Sequence, residues 1–241
     1  MCLPYVGDES QGRLGDGAEL GNLPRVVGTH LYDCYVVENA TSEAMSIGSE
    51  SDTWTLNPHS VGVVVSYDEN AWREEDERKV HVTEDIARAI YNYKSLGCDT
   101  VSVLATSPDN VLSVDVKDPY FGTIYPISFV KTVPISFDVK ISVSEFRYAG
   151  SNIVEDVESA VRSWAEGHIS SVDGLSIGQN IKPFEIGAAV SARIPDIQID
   201  DVQIKLHSAL ESQYSHDQIV IREWQIGTLG KVEVPTPNPA Q

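Results

Sequence analysis

Hydrophobic and polar positions along this chain fall into stretches of distinct period, and each change of period marks an expected element. Residues 135–143 are the clearest case: Ile135, Phe137, Val139, Ile141 and Val143 alternate with Ser136, Asp138, Lys140 and Ser142. A period of two sends the first set to one face of a strand and the second to the other. Pro134 suits the start of that strand. A helical period follows in TEDIARAIYNYKSLG, residues 83–97, where Ile86, Ala89, Ile90, Tyr93 and Leu96 recur every three or four positions. Thr83 is the expected N-cap, Glu84 and Asp85 suit the first turn, and Gly97 follows the end. Residues 151–166 repeat the pattern with Ile153, Val154, Val157, Ala160, Val161 and Trp164, and Glu155, Asp156 and Glu158 suit the positive end of the helix dipole. A third, shorter helix is expected to begin near Pro183, whose missing amide proton costs nothing in the first turn, and to end before Pro195.

Strands are predicted within 25–39 and over 59–65, 100–105, 111–116, 122–129, 198–206 and 218–225. The Ser- and Glu-rich stretch 40–58 predicts a loop or long hairpin, and YDENAWREEDERK, residues 67–79, predicts a solvated charged loop. Residues 1–22, with Gly7, Gly12, Gly15, Gly17 and Gly21, predict a flexible arm, and the proline-rich 235–241 a flexible tail. The expected fold class is therefore α+β, with a lobe over 23–145 and a second over 146–234. Each lobe should be a mixed or antiparallel sheet packed with one or two helices.

Composition narrows the function classes. The chain has 241 residues, enough for one large or two modest domains, and 41% hydrophobic content suits a folded globular protein. Its formal net charge of −19 would repel phosphates, which disfavours nucleic acid as a partner and an anionic bilayer as a surface. No apolar run reaches the roughly 20 residues of a membrane-spanning helix. The N-terminus lacks a basic segment followed by an apolar core, so cytoplasmic synthesis is expected.

Candidate chemistry is sparse. Cys2, Cys34 and Cys98 have neither disulfide-framework nor zinc-ribbon spacing, and the latter two read as small buried hydrophobes. His30, His59, His81, His168, His207 and His216 lack metal-ligand spacing, so surface or structural roles are expected; His59, before a strand, is the one to inspect. Asp68, Glu69, Glu74, Glu75, Asp76 and Glu77 lack the calcium-loop pattern and interleave with Arg73, Arg78 and Lys79. Trp72, a large ring among charges, reads either as part of that solvated loop or as a contact site. Asn39-Ala40-Thr41 has the form of a glycosylation sequon, for which no chemical role is expected without a secretory signal. Gly15-Asp16-Gly17 lacks the third glycine and helix of a dinucleotide fingerprint. Gly174-Leu175-Ser176-Ile177-Gly178 matches the pattern of a hydrolase nucleophile elbow, but no strand-like segment precedes it and the next helix starts only near Pro183. The residues predict no catalytic, cofactor-binding or metal-ligating positions.

Taken in order, several segments resemble the baseplate J-like family of contractile phages, particularly its Mu-type members. They are Val26-Val27-Gly28; Val36-Val37 leading into the turn Glu38-Asn39-Ala40-Thr41; Pro58-His59-Ser60-Val61-Gly62-Val63-Val64-Val65; the helix Glu84-Asp85-Ile86-Ala87-Arg88-Ala89-Ile90; and Lys94-Ser95-Leu96-Gly97. Pro126-Ile127-Ser128-Phe129, Val133-Pro134-Ile135-Ser136-Phe137-Asp138-Val139 and Leu175-Ser176-Ile177-Gly178 continue the series, so the resemblance spans residues 23–234. It implies a structural wedge subunit, not an enzyme, that links the hub and periphery of a tail baseplate and rearranges during contraction. The implied partners are other wedge and hub proteins, a second copy of this chain and the sheath initiator; the implied location is the virion tail, after assembly in the host bacterial cytoplasm. Family members usually carry a further region before the matched part, which implies a split or reduced version here, with another gene product supplying those contacts. The rival readings are a tail-associated hydrolase, for which paired carboxylates or Ser176 would serve, and the equivalent subunit of a non-viral contractile injection system.

Overall fold

The structure, a computed structural model, describes residues 31–49, 52–75, 78–94, 97–100, 102–145, 152–167, 174–195 and 197–235. The fold is α+β and divides into two compact units, residues 1–133 with 222–224, and residues 134–221 with 225–241. The division expected near residue 146 differs from this, because the long alternating strand pairs only within the second unit and carries its first half with it.

In the first unit, β1 (Leu31–Asn39), β4 (Ser60–Tyr67), β9 (Ile124–Lys131) and β8 (Val111–Lys117) form a mixed sheet in that order. β4 runs antiparallel to β1 and parallel to β9, while β8 and β9 are antiparallel. The uninterrupted apolar run of β4 exists because both its faces are covered. Val61, Val63 and Val65 share a core with Ile86, Ala89 and Ile90 of α1 (Val82–Tyr93). On the opposite face Trp54 of β3 (Asp52–Leu56) lies over Gly62, where a β-carbon would come within 2.4 Å of the indole. β3 is the middle strand between β2 (Met45–Ser49) and β7 (Ser102–Leu104). The polar stretch 40–58 thus contains a hairpin, since its Ser and Thr positions alternate with Ile47, Trp54 and Leu56.

The charged stretch 67–79 is a second hairpin instead of a loop. β5 (Trp72–Glu75) pairs with β6 (Arg78–His81), and the register sets Glu74 opposite Lys79 and Glu75 opposite Arg78. Read along the chain, the same residues look like a solvated run. The expected N-cap Thr83 also moves. His81 is the cap, with its Nδ1 accepting from the Thr83 amide at 3.3 Å. Because Nε2 lies 2.9 Å from the Glu69 carbonyl, which can only accept, the ring is the Nε2–H tautomer.

In the second unit the sheet order is β11 (Ile197–Leu206), β10 (Val133–Glu145), β12 (Gln225–Glu233), with β10 and β11 antiparallel. Phe137, Val139, Ile141 and Val143 form the expected apolar face and pack with Val157, Ala160, Val161 and Trp164 of α2 (Ile153–Ala165). Ile186, Ala189 and Val190 of α3 (Pro183–Arg193) complete that core. Asn152 caps α2 through the Glu155 amide, and Pro183 opens α3 as expected. The strand expected over 218–225 is not formed: Ile219 makes one isolated bridge to Ile181, and the closing strand is β12. Gly227 and Gly230 mask β12 in the sequence, yet each sits where a neighbour needs the space. Residues 1–22, His30, Asp76, Glu77, Leu96, His168 and 236–241 lie outside the described residues. Among the described residues, no helix is long and apolar enough to cross a membrane.

Candidate functional site

The motif around Ser176 resolves into packing geometry. The Gln179 amide donates to the Ser176 carbonyl at 3.2 Å, and Gly178 at the third position has φ +73°, the requirement of a type II turn. A β-carbon on Gly174 would lie 2.5 Å from Gly167 and 2.8 Å from the Trp164 carbonyl. Both glycines are therefore accounted for by backbone demands. The Ser176 hydroxyl, 8% exposed, donates to Gln179 Oε1 at 2.7 Å, and α3 begins only at Pro183. Among the described residues no strand–turn–helix elbow is formed.

Asn39, part of both the sequon pattern and the turn Glu38-Asn39-Ala40-Thr41, is a buried hub. Its amide nitrogen donates to the carbonyls of Glu43 at 2.8 Å, Asn57 at 2.9 Å and Leu56 at 3.3 Å. Its Oδ1 accepts from the Thr41 amide at 3.1 Å and the Thr41 hydroxyl at 2.7 Å. Asn and Thr at this spacing thus tie the end of β1 to the end of β3. His59, the histidine singled out beforehand, is exposed and adopts φ +52°, and its backbone links Thr41 to Asp99 through bonds of 3.1 Å each.

A charged hub in the second unit was not anticipated. Asp138 belongs to the polar set of β10, yet it is 3% exposed. Its Oδ2 receives Lys205 Nζ at 2.9 Å, and its Oδ1 receives His207 Nδ1 at 2.7 Å and the Lys231 amide at 2.8 Å. Burial works to raise the Asp138 pKa, but the bonds from His207, the Lys231 amide and Lys205, with the Lys205 charge, outweigh it and bring the carboxyl down to about 2. Lys205, itself 7% exposed, also donates to the Ala209 carbonyl and lies 5.2 Å from the Tyr214 ring. The cluster is a satisfied ion pair with an exposed imidazole at its rim. A lone Asp in a polar alternation was the one legible trace of it.

The remaining chemical candidates have local roles. Burial, assisted by Asp33, pushes the Cys34 thiol up to about 11, so it stays protonated at neutral pH; Cys98 is buried. Glu69 pairs with Lys131 at 2.6 Å. His216 Nε2 donates to Asp201 at 2.6 Å. Among the described residues, no group of three His, Cys, Asp or Glu side chains is arranged to hold a metal ion.

Apolar surface is the more conspicuous feature. Trp72 is 56% exposed and meets the His81 ring edge-on at 4.7 Å. At the β8–β9 turn, Tyr120 and Phe121 are 88% and 87% exposed. Their backbone is nonetheless fixed, because Asp118 Oδ1 accepts both their amides at 2.8 and 2.7 Å while Oδ2 accepts the Tyr91 hydroxyl at 2.5 Å. The Tyr91 bond and the Phe121 and Tyr120 amides lower the Asp118 pKa against the effect of burial. In the second unit, a groove of about 620 Å³ lies beside Phe184, Gly187, Ile199 and Val202 and is edged by Asp200, Asp201 and Asp217. Comparison with known protein families and with curated proteins returns no match.

Proposed function

We propose that this chain is a structural wedge subunit of a contractile-tail baseplate, similar to the baseplate J-like family, which acts by holding partner subunits and not by covalent chemistry. The observation that carries the reading is the aromatic tip. Tyr120 and Phe121 stand in water on a turn whose backbone is locked by Asp118, and an unpartnered globular domain gains nothing from such an arrangement. Fully burying one such ring contributes ~1.5–3 kcal/mol, and the locked turn removes most of the ordering cost that binding would otherwise incur. The co-linear resemblance over residues 23–234 supplies the setting: hub and wedge proteins, a second copy and the sheath initiator as neighbours, in a virion tail assembled in the bacterial cytoplasm. Contraction would then move rigid units between discrete interfaces.

Electron microscopy of assembled particles carrying a labelled copy of this chain tests the reading. Label confined to the plate at the end of the tail is the expected result. A soluble monomer that never enters particles would overturn it.

A further inference from the structure

Among the described residues β11 is the outer strand of its sheet, and its pairing on the open side stops abruptly. Ile204 exchanges both backbone bonds with Ser215, at 2.9 and 3.0 Å, and there the neighbouring chain bends away because the Ser215 hydroxyl ties to the Asp217 amide at 2.8 Å. Antiparallel bonding alternates along a strand, so Val202, two residues back, turns its N–H and C=O to the same open side. The edge from Ile197 to Val202 spans roughly 17 Å at about 3.3 Å per residue.

Beside that edge lies the groove. A bulge between Ser142 and Val143 accommodates Asp200 as an extra residue in β11, so that Ile199 and Val202, three apart, both lie on the core face beside their cross-strand partners Val143 and Ile141. Gly187 of α3 lies over them, its absent β-carbon 3.5 Å from Val202 Cγ2, and Phe184 stands 69% exposed at the mouth. Asp200 and Asp201 fall to the other side, and Asp217 adds a third carboxylate to the rim. Asp200 accepts from the neutral Ser144 and Gln198, and Asp201 from Gln203 and from His216 Nε2 at 2.6 Å, while Lys182, which also lines the groove, pairs with Glu185 at 3.1 Å.

We propose that the open edge of β11 is a strand-addition site for an extended segment of another protein in which apolar and basic residues alternate. The occupant's backbone pairs with Val202, its apolar side chains enter the groove over Phe184 and Gly187, and its basic ones meet Asp200, Asp201 and Asp217. The site stands independently of the tail assignment, since it follows from edge, groove and charge alone.

The probes are labelled synthetic octapeptides: alternating Val and Lys, alternating Val and Glu, and the Val/Lys sequence interrupted by proline. Fluorescence anisotropy should show the Val/Lys peptide binding at least about tenfold more tightly than the other two, and less tightly as salt rises. Hydrogen exchange should slow at the Val202 amide when it binds. Phe184→Ala and the paired change Asp200→Asn with Asp201→Asn, each checked for an unchanged melting temperature, should weaken binding about tenfold. Equal binding of the proline-interrupted peptide would show unspecific attraction to a chain of net charge −19 and overturn the proposal. It would also fall if the aspartates and bulge merely block pairing, in which case Val202 gains no protection and the variants behave as the parent.

Discussion

Among the described residues each unit holds a buried polar hub, Asn39 in the first and Asp138 in the second, and the two solve the same problem with opposite chemistry. Asn39 in the first unit is neutral and satisfies carbonyls and an amide around a turn. Asp138 in the second is ionised and answers Lys205, His207 and the Lys231 amide. A neutral hub loses only hydrogen bonds when broken, whereas a charged one leaves its buried partner uncompensated. The contrast also predicts that only the second hub responds to pH.

The sharpest break is Asp138→Ala, which strands Lys205 in a buried site and should cost ~3–5 kcal/mol in urea unfolding. Adding Lys205→Met to that variant should recover much of the loss, because a buried ion pair exchanged whole for apolar groups is often nearly neutral. Asn39→Ala should cost ~1–3 kcal/mol, with no second-site replacement able to restore it so simply. Gly230→Ala should cost a comparable ~1–3 kcal/mol, since its β-carbon would fall 2.6 Å from Asp138 Oδ1; the same change at exposed Gly97, where nothing lies within 4 Å, pits only the strain of its φ of +84° against the chain.

Acid titration separates the hubs more finely. The Asp138 pKa is depressed to about 2, so its stabilisation is complete above the ordinary carboxylate range and is lost as pH falls from there toward 2. Asp138→Asn should flatten the fall of unfolding free energy in that window, by at most about 1.4 kcal/mol per pH unit. Asn39→Ala should lower the whole curve without changing its slope. The smallest effect on stability is expected from Tyr120→Ser with Phe121→Ser, within about 0.5 kcal/mol of the parent; the same pair should prevent incorporation into particles, separating folding from assembly.

Much of the architecture was legible because burial writes itself as periodicity. β10, α2 and α3 follow directly from the positions of Phe137, Val157, Trp164 and Pro183, and β4 from its valines on either side of Gly62. What escaped did so for stated reasons. The register that pairs β5 with β6 joins residues that read along the chain only as a charged run. β12 contains Gly227 and Gly230, which lower strand propensity but make room for Ile181 and Asp138. His81 displaced Thr83 as the cap because Glu69, twelve residues earlier, fixes its tautomer.

The two apolar surfaces divide the same way. The residues Tyr120, Phe121 and Phe184 are plain in the sequence, and so is the acidic pair Asp200-Asp201. Only the tertiary structure left these rings in water, locked one turn through Asp118, and ended the pairing of β11 at Ile204. Local pattern determines which residues prefer to be buried and in what element, because that preference depends on chain geometry over a few residues. Which polar group is buried with a partner, and which apolar group stays exposed, depends on what distant segments bring to the same place; Asp138 went in and Phe121 stayed out for that reason.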